Sequence, residues 1–387
     1  SSPVITGINT FKQFIITNKC ACITDLIQKD WELSVGGSGS DQLLKIVSAK
    51  DGGFLLAGTS SSPISGNKTV DTKGLGDYYV TKIDSNRNIL WQFSYGGTQH
   101  EELKSAIQTA DGGYLLVGTS QSANDGNKTS FNYGNIDIWV VKLSATGTKS
   151  WDRSFGGSLS DYAYDVKVAE DGNYLILGAS LSPIDGNKTS TNYGGFDYWL
   201  IKISTSGVKL TDNTYGGIGD DAGLRLLTKQ DGNIILGGYS RSASGTGVKT
   251  STQFGLSDYW LLELNASGSI VNQSTYGGLQ DDIFQDMILT SDDNLLITGV
   301  SESGISGSKT TINYGLKDMW ILKTNMSTIS WQKNYGTTLI DPSICLKEAS
   351  DGSYLISGSA NGISGNKTSP AYGNSDMWII SLKDNGD

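Results

Sequence analysis

The chain has 387 residues, and Asp and Glu outnumber Lys and Arg by 39 to 29, for a net charge of −10. This acidity makes nucleic acid and anionic membrane surfaces poor partners. Gly is frequent at 50 residues and Pro rare at 5, which is typical of a turn-rich folded chain rather than a disordered one. No apolar run approaches the roughly 20 residues needed to span a bilayer.

Residues 1–37 carry four short strand-like runs, at residues 4–6, 13–17, 21–27 and 31–34, separated by polar turns. The last run leads into Gly36-Gly37, as the fourth run of each later unit leads into its own Gly-Gly pair or equivalent. This pattern predicts a compact four-stranded unit without a long loop.

Residues 38–387 repeat one unit six times. An Asp-Gly pair, or Asp-Asp in one case, is typical of a hairpin turn and recurs at intervals of about 60 residues. The first Asp of each pair is Asp51, Asp111, Asp171, Asp231, Asp292 or Asp351. Each unit has four runs of β-branched and aromatic residues bounded by Gly, Asn, Asp or Ser, which is the strand signal, and no stripe at helical spacing. The Asp-Gly pairs predict type I′ hairpin turns. A fixed period of this length indicates an array of one supersecondary unit.

Four antiparallel strands per unit predict an all-β chain folded as a single β-propeller domain over residues 1–387. We expect six four-stranded blades from residues 38–387. The ring can close in two ways. In a six-bladed ring, residues 31–34 complete the last blade. In a seven-bladed ring, residues 1–37 form a blade of their own and the last blade keeps three strands. We favour seven, and both arrangements place residues 1–37 against residues 338–387.

The strand order also predicts which loops share a face. Long loops such as residues 60–75 and 121–136 open beside the Gly-Gly turns, whereas the Asp-Gly hairpins lie at the opposite end. Long loops on a rigid scaffold are where recognition usually occurs. We therefore expect any binding site on the long-loop face.

The unit contains W-x-x-x-(Y/F)-G-G, D-G-G-(Y/F)-L-L-x-G-(T/S)-S and D-Y-W-(V/L)-(V/I)-K, with a close match at residues 112–120. It resembles the β-propeller repeats of secreted and cell-surface proteins of Bacteroidetes bacteria, over residues 31–387. The resemblance implies export to the cell surface or beyond, often by type IX secretion, and implies no activity. The start at Ser1-Ser2-Pro3 fits a processed amino terminus.

An acidic residue stands four positions after each Gly-Gly pair or its equivalent. These residues are Asp41, Glu101, Asp161, Asp221, Asp282 and Asp341. They could form a cation-binding ring at the channel mouth, with Asp220 and Asp281 as additional Ca²⁺ ligands beside Asp221 and Asp282. Alternatively, each acid accepts N–H bonds from its own turn. Repetition in every blade favours this structural role, so we expect no metal and no other cofactor.

A second acid precedes the aromatic pair of each third strand, where a side chain that fixes loop backbone is useful. These residues are Asp77, Asp137, Asp197, Asp258, Asp318 and Asp376. The tryptophans that follow two positions later, such as Trp139 and Trp199, are expected to pack between blades.

The long loops carry Gly-Asn-Lys-Thr or a close variant, which differs from a phosphate-binding loop because another residue separates Gly from Lys. Its Asn residues, such as Asn127, are N-glycosylation acceptors if the source is eukaryotic. An aromatic residue follows in five loops. These candidate ligand-binding residues are Tyr133, Tyr193, Phe254, Tyr314 and Tyr372. They could stack on sugar rings, although packing of each loop against its own blade is the more common role.

Nothing in the sequence forms a catalytic constellation. His100, the single histidine, has Glu101 and Glu102 beside it but no nucleophile at a strained turn. Cys20 and Cys22 are too close for an easy bridge, and either reaches Cys345 only if the chain ends meet. We expect a non-enzymatic, exported binding scaffold that holds a cell-envelope or extracellular protein, or a glycan, by its long-loop face. A multivalent lectin is the alternative, and a propeller hydrolase or lyase a second one.

Overall fold

The computed structural model describes residues 31–386, which form 23 strands and no helix. The described residues accordingly include no helix that could cross a membrane. The strands fall into six consecutive antiparallel sheets, each in the order of the chain. The predicted all-β propeller is confirmed.

The first three blades are four-stranded. Blade 1 contains β1 (Asp41–Ser48), β2 (Phe54–Ser60), β3 (Asp77–Ile83) and β4 (Ile89–Tyr95). Blade 2 contains β5 (Glu101–Gln108), β6 (Tyr114–Ser120), β7 (Asp137–Leu143) and β8 (Lys149–Phe155). Blade 3 contains β9 (Asp161–Val168), β10 (Tyr174–Ser180), β11 (Asp197–Ile203) and β12 (Lys209–Tyr215).

Blades 4 and 5 repeat this plan, and blade 6 has three strands. Blade 4 contains β13 (Asp221–Thr228), β14 (Ile234–Ser240), β15 (Asp258–Leu264) and β16 (Ile270–Tyr276). Blade 5 contains β17 (Asp282–Leu289), β18 (Leu295–Ser301), β19 (Asp318–Thr324) and β20 (Ile329–Tyr335). Blade 6 contains β21 (Ser343–Glu348), β22 (Tyr354–Ala360) and β23 (Asp376–Leu382). Blade 6 thus has the three strands that we expect of the last blade when residues 1–37 form a blade of their own.

The register places the long loops and the Gly-Gly turns at one end of each blade. Ser60, the last residue of β2, pairs with both Asp41 and Asp77, which begin β1 and β3. The long loop between β2 and β3 therefore opens beside the turn that precedes β1. The first strands of successive blades contact one another, so they are the innermost strands.

The Asp-Gly hairpins differ from the prediction. In blade 1, the N–H of Gly52 donates to Ala49 O at 3.0 Å, and the N–H of Ala49 donates to Gly53 O at 2.9 Å. Gly52 has a φ of 82°, whereas Asp51 is not among the residues with positive φ. A type I′ turn needs positive φ at both central residues, so the type I′ prediction is wrong. This is a longer loop in which a type I turn is followed by one left-handed residue.

Each blade between two others buries both of its faces. The forward face packs against the next blade in the chain, and the rear face against the preceding one. Between blades 3 and 4, Leu177 and Tyr198 of the forward face meet Leu236 and Trp260 of the rear face. The Tyr198 hydroxyl also donates to Trp260 O at 2.9 Å.

Five apolar clusters of this kind join the six described blades in sequence. The repeated tryptophans are buried within them, as predicted. These are Trp139, Trp199, Trp260, Trp320 and Trp378.

The amino-terminal expectations are largely untested, because residues 1–30 lie outside the described residues. The choice between a six-bladed and a seven-bladed ring, the compact unit over residues 1–37, and any pairing of Cys20 or Cys22 all depend on them. The strand expected at residues 31–34 is not formed: residues 31–40 contain no strand. These residues have no paired strand beside them among the described residues, and a strand needs such a neighbour for its backbone hydrogen bonds.

The buried tryptophans generate a stability prediction. Replacing Trp260, which is fully buried between two blades, by Ala should lower the free energy of unfolding by about 3–5 kcal/mol. Trp151→Ala is the control, because Trp151 lies on an outer strand and is only partly buried. Urea unfolding of both variants checks this, and equal losses would contradict the assignment of Trp260 to the interface core.

Candidate functional site

The acids that follow the Gly-Gly turns are held by those turns. In blade 3, Asp161 Oδ2 accepts the N–H of Gly157 at 2.9 Å and the hydroxyl of Ser182 at 2.8 Å. The same backbone bond is made in all six blades, at 2.6 to 2.9 Å. The hydrogen bonds that a structural role predicts are therefore present in every described blade.

The acids that begin the third strands fix the long loops, also as predicted. Asp197 Oδ2 accepts the backbone N–H of Tyr193 at 2.6 Å. An equivalent bond, from the residue four positions earlier, forms in every described blade. The end of each long loop is therefore anchored to the strand that follows it.

The two sets of acids come together at the Gly-Gly turns. A Cβ placed on Gly156 would lie 2.2 Å from Asp137 Oδ1 and 2.8 Å from Asp161 Oδ2, so the two carboxyl groups face each other across this residue. No side chain larger than hydrogen fits there, which explains the glycine.

These carboxyl pairs are short of hydrogen-bond donors. Both side chains of the Asp137–Asp161 pair are fully buried, and their Oδ1 atoms have no partner among the described residues. Burial, with the neighbouring carboxylate of Asp161, raises the pKa of Asp137 to about 7. Burial likewise raises the pKa of Asp197 to about 7 and of Asp258 to about 7. Perturbed pKa values often mark active sites, but recurrence in successive blades indicates a structural element.

The proposed Ca²⁺ ligands are engaged in different contacts. Asp221 Oδ2 accepts the N–H of Gly217 at 2.8 Å, and Asp220 Oδ1 accepts the N–H of Phe196 at 3.0 Å. Asp282 is bound to its own turn in the same way. Asp281 lies 4.0 Å from the guanidinium of Arg241. Within residues 31–386, no group of three or more Asp, Glu, His or Cys side chains could hold a metal ion.

The Lys residues of the long-loop motif are buried, which the sequence did not indicate. Lys128 donates to Ser130 O at 2.8 Å. The ammonium of Lys188 lies over the Trp199 ring, 5.8 Å from its centroid, a favourable cation–π distance. These ammonium groups close the base of each long loop and are not available to a ligand.

The Asn residues of the same motif connect neighbouring blades. Asn127 Oδ1 accepts the N–H of Gly96 at 2.8 Å, and its Nδ2 donates to Ser94 O at 2.8 Å. Asn187 makes the same two bonds to Gly156 and Ser154 one blade further on. The nitrogen that a glycan would take is thus already bonded within the protein.

Four of the five loop aromatics are not fully open to solvent, whereas the fifth, Tyr372, is 88% exposed. Tyr133, Tyr193, Phe254 and Tyr314 are partly buried. The Phe254 ring stands 2.9 Å from where a Cβ on Gly307 would be, on the long loop of the next blade. Four of the five therefore contact protein over part of their surface. A ligand-binding role for them stays a prediction.

His100 and its acidic neighbours do not converge. Glu101 accepts the N–H of Gly97 at 2.8 Å and the hydroxyl of Ser120 at 2.7 Å. Glu102 forms an ion pair with Lys104 at 2.7 Å. The carboxylates beside His100 are thus bound to other groups.

A further set of side chains on the long-loop face was missed by the sequence reasoning. These exposed apolar residues are Ile64, Leu75, Phe131, Ile184, Ile218, Leu256, Leu279, Ile305, Ile312, Leu316, Leu339 and Ile363. All lie in the long loops or the Gly-Gly turns, at the same end of the blades. The signal was present as single apolar residues at repeating places in otherwise polar loops, such as Ile64 and Ile184 after Pro.

No family model and no curated protein sequence matches the chain. Among solved structures, it is similar to a protein of unknown function from Bacteroides caccae at 12% identity and a TM-score of 0.41, covering 79% of this chain and 85% of that one. A protein of unknown function from Dyadobacter fermentans has 13% identity and a TM-score of 0.45, covering 90% of this chain and 96% of that one. Hydrazine synthase from Kuenenia stuttgartiensis has 11% identity and a TM-score of 0.46, covering 86% of this chain and 79% of that one. These values establish neither a family nor an activity, so the resemblance of the repeat to Bacteroidetes sequences stays a prediction.

The bonds at Asp161 predict different costs for two substitutions. Asp161→Ala leaves the N–H of Gly157 and the Ser182 hydroxyl without their acceptor, which should cost about 1–3 kcal/mol of stability. Asp161→Asn keeps an acceptor and removes the repulsion from Asp137, so its effect should be small. Chemical denaturation of both variants measures this. A Tm raised by Ca²⁺ and lowered by a chelator would instead favour a cation site.

The raised carboxyl pKa values predict a pH dependence of stability. Their pKa in the folded state is about 6 to 7 at Asp77, Asp137, Asp197, Asp258 and Asp318, above the ordinary value of 3.8. At pH values between the unfolded and the folded pKa, the folded chain binds more protons than the unfolded chain, so stability falls as pH rises. We expect a higher Tm at pH 5.5 than at pH 8.

Asp137→Asn provides the control for this effect, because it should reduce the slope of Tm against pH by removing one of the contributing groups. The acids whose pKa is lowered, such as Asp152 and Asp212, lose their stabilising contribution only at lower pH. They therefore do not change the Tm between pH 5.5 and pH 8. A Tm that is constant or rises from pH 5.5 to 8 would contradict the assignment.

Proposed function

We propose that this chain is an exported, non-enzymatic binding propeller that holds a protein partner against its long-loop face. The observation that carries the proposal is the set of exposed apolar side chains on that face. Each of the six described blades contributes at least one, for example Ile64, Phe131 and Ile184 from blades 1, 2 and 3. Exposed apolar patches rimmed by polar residues are typical of protein interaction sites.

The rigidity of the long loops supports the same function. Both ends of each loop are held by carboxylates, and its middle by the buried Lys and the bridging Asn described above. A surface that is already ordered loses little conformational entropy when it binds. The apolar side chains are thus presented from fixed positions.

The character of the exposed residues favours a protein over a glycan. Sugar stacking needs open aromatic faces, and four of the five candidate aromatics are partly buried. The exposed residues are mainly Ile and Leu, which match the apolar core of a protein interface. We also propose that the protein has no enzymatic activity and that it is exported from the cell. Export rests on the resemblance of the repeat to secreted proteins.

A capture experiment with matched variants tests the proposal. The protein is immobilised, incubated with an extract of the native cell envelope, and the bound proteins are quantified by mass spectrometry. In the test variant, four equivalent loop residues, Ile64, Ile184, Ile305 and Ile363, are replaced by Ser. Because fully burying an Ile side chain contributes about 1.5–3 kcal/mol, we expect this variant to bind its partner at least about tenfold more weakly.

The control carries Val208→Ser, Leu210→Ser and Val271→Ser, at exposed apolar positions on the fourth-strand side of blades 3 and 4, away from the long loops. It should capture the same proteins as the unmodified chain. Equal capture by the loop variant would refute a role for these side chains. Glycan-array binding that is lost on replacing Tyr133, Tyr193 and Tyr314 by Ala would favour the lectin instead.

A further inference from the structure

Every first strand contains a β-bulge at the same place. In blade 2, Lys104 is the extra residue and has no partner on β6. The same irregularity recurs in the first strands of all the described blades. Leu103 and Ala106, on either side of the bulge, both belong to the apolar cluster at the rear face. Because side chains alternate along a regular strand and the bulge adds one residue, both Lys104 and Ser105 are directed away from that face.

The backbone of this bulge is constant, but its side chains differ from blade to blade. The two residues at the bulge are, in blade order, Leu44-Lys45, Lys104-Ser105, Tyr164-Asp165, Leu224-Arg225, Gln285-Asp286 and Ile344-Cys345. We call these side chains the inner surface, since they belong to the innermost strands. The acids that hold the turns and loops recur in each blade, as a structural role requires. The bulge forms with any of these pairs, so the choice of its side chains has a different reason.

The charged side chains of the inner surface converge from several blades. The hydroxyl of Ser105 donates to Asp165 Oδ1 at 3.0 Å, and Arg225 Nε donates to Asp286 Oδ1 at 2.7 Å. Burial lowers the pKa of Lys45. The charges of Asp165, Arg225 and Asp286 also act on its ammonium group. Groups from blades 1, 3, 4 and 5 therefore share one space.

The two carboxylates in this space are already bonded within the protein. Both Asp165 and Asp286 are buried. Asp165 accepts three hydrogen bonds, one of them from the N–H of Leu226 in the next blade at 3.2 Å. Asp286 also accepts three, one of them from the N–H of Leu346 in the next blade at 2.9 Å. These bonds connect neighbouring blades and leave the cations as the groups open to a ligand.

One cation of the inner surface has no counter-ion. The other cations of the first strands near it are ion-paired. These pairs are Arg225–Asp286 at 2.7 Å, Lys167–Asp165 at 3.6 Å and Lys104–Glu102 at 2.7 Å. Lys45 is partly buried, yet it forms no ion pair and donates no hydrogen bond within residues 31–386. Removing an unpaired ammonium from water costs free energy. The inner surface therefore lacks one negative charge beside Lys45.

We propose that the inner surface binds a small organic acid, whose carboxylate pairs with the ammonium group of Lys45. Arg225 supplies a second donor, because its Nη2 makes no hydrogen bond within the described part of the chain. The same bulges carry apolar side chains that suit the hydrocarbon part of such an acid. Leu44 and Ile344 are both exposed. This ligand site is separate from the long-loop face and independent of the protein partner proposed for it.

Titration calorimetry of the full chain with sodium hexanoate, at constant ionic strength, tests the proposal. We expect saturable binding of one hexanoate per chain. Lys45→Met should weaken this binding at least about tenfold, because a hydrogen bond between charged groups is lost. Lys45→Arg keeps the charge and should retain binding. Lys104→Met is the matched control, since it removes the same charge from the next first strand, where the ammonium group already pairs with Glu102. It should bind hexanoate as the unmodified chain does.

Thermal melting shows whether the variants are folded and gives a second measurement. Hexanoate should raise the Tm of the unmodified chain and of Lys104→Met by mass action, and leave the Tm of Lys45→Met unchanged. Three results would overturn the proposal. They are the absence of saturable binding, equal weakening by Lys45→Met and Lys104→Met, and binding of sulfate as tight as that of hexanoate. The second would indicate a general effect of net charge, and the third a site for any anion.

Discussion

The constraint on which this structure depends is that a blade has two apolar faces and one sheet cannot cover both. A four-stranded sheet with Leu177 and Tyr198 on its forward face, and Trp199 and Ile201 on its rear face, exposes one of them to water unless it has two neighbours. Every blade needs a neighbour on each of its two faces. All apolar faces of the molecule are therefore covered only when the first and last blades also have neighbours on both sides.

The polar groups serve the same assembly at the long-loop end. The side chain of Asn127 reaches from the long loop of blade 2 to the end of the last strand of blade 1, and Asn187 repeats this one blade further on. The buried carboxyl groups hold the turns and loop ends beside these bridges. The polar side chains that make these bonds are directed into the protein, whereas apolar side chains of the same loops, such as that of Ile184, are exposed.

Much of the fold could be predicted from the sequence, because strands, turns and the period are local patterns. The roles of Asp161 and Asp197 followed from their repetition and their place beside turns. The type of turn at Asp51-Gly52 was not predicted correctly, because the length of the loop, and not the dipeptide alone, decides the turn type. The burial of Lys128 and the exposure of Ile64 also escaped prediction, because burial depends on neighbours that are distant in sequence. The expected strand at residues 31–34 shows the same limit, since a strand exists only beside a partner.

The equivalence of the inter-blade contacts has a consequence for how the gene can change. Residues 98–157 span one full period. Their removal would bring the forward face of blade 1, with Tyr78 and Val80, against the rear face of blade 3, with Trp199 and Ile201. This join has the same chemistry as the one that it replaces. Gain or loss of whole periods by recombination therefore keeps apolar packing at every join between blades, and changes how many long loops the array displays and how sharply it must curve to close.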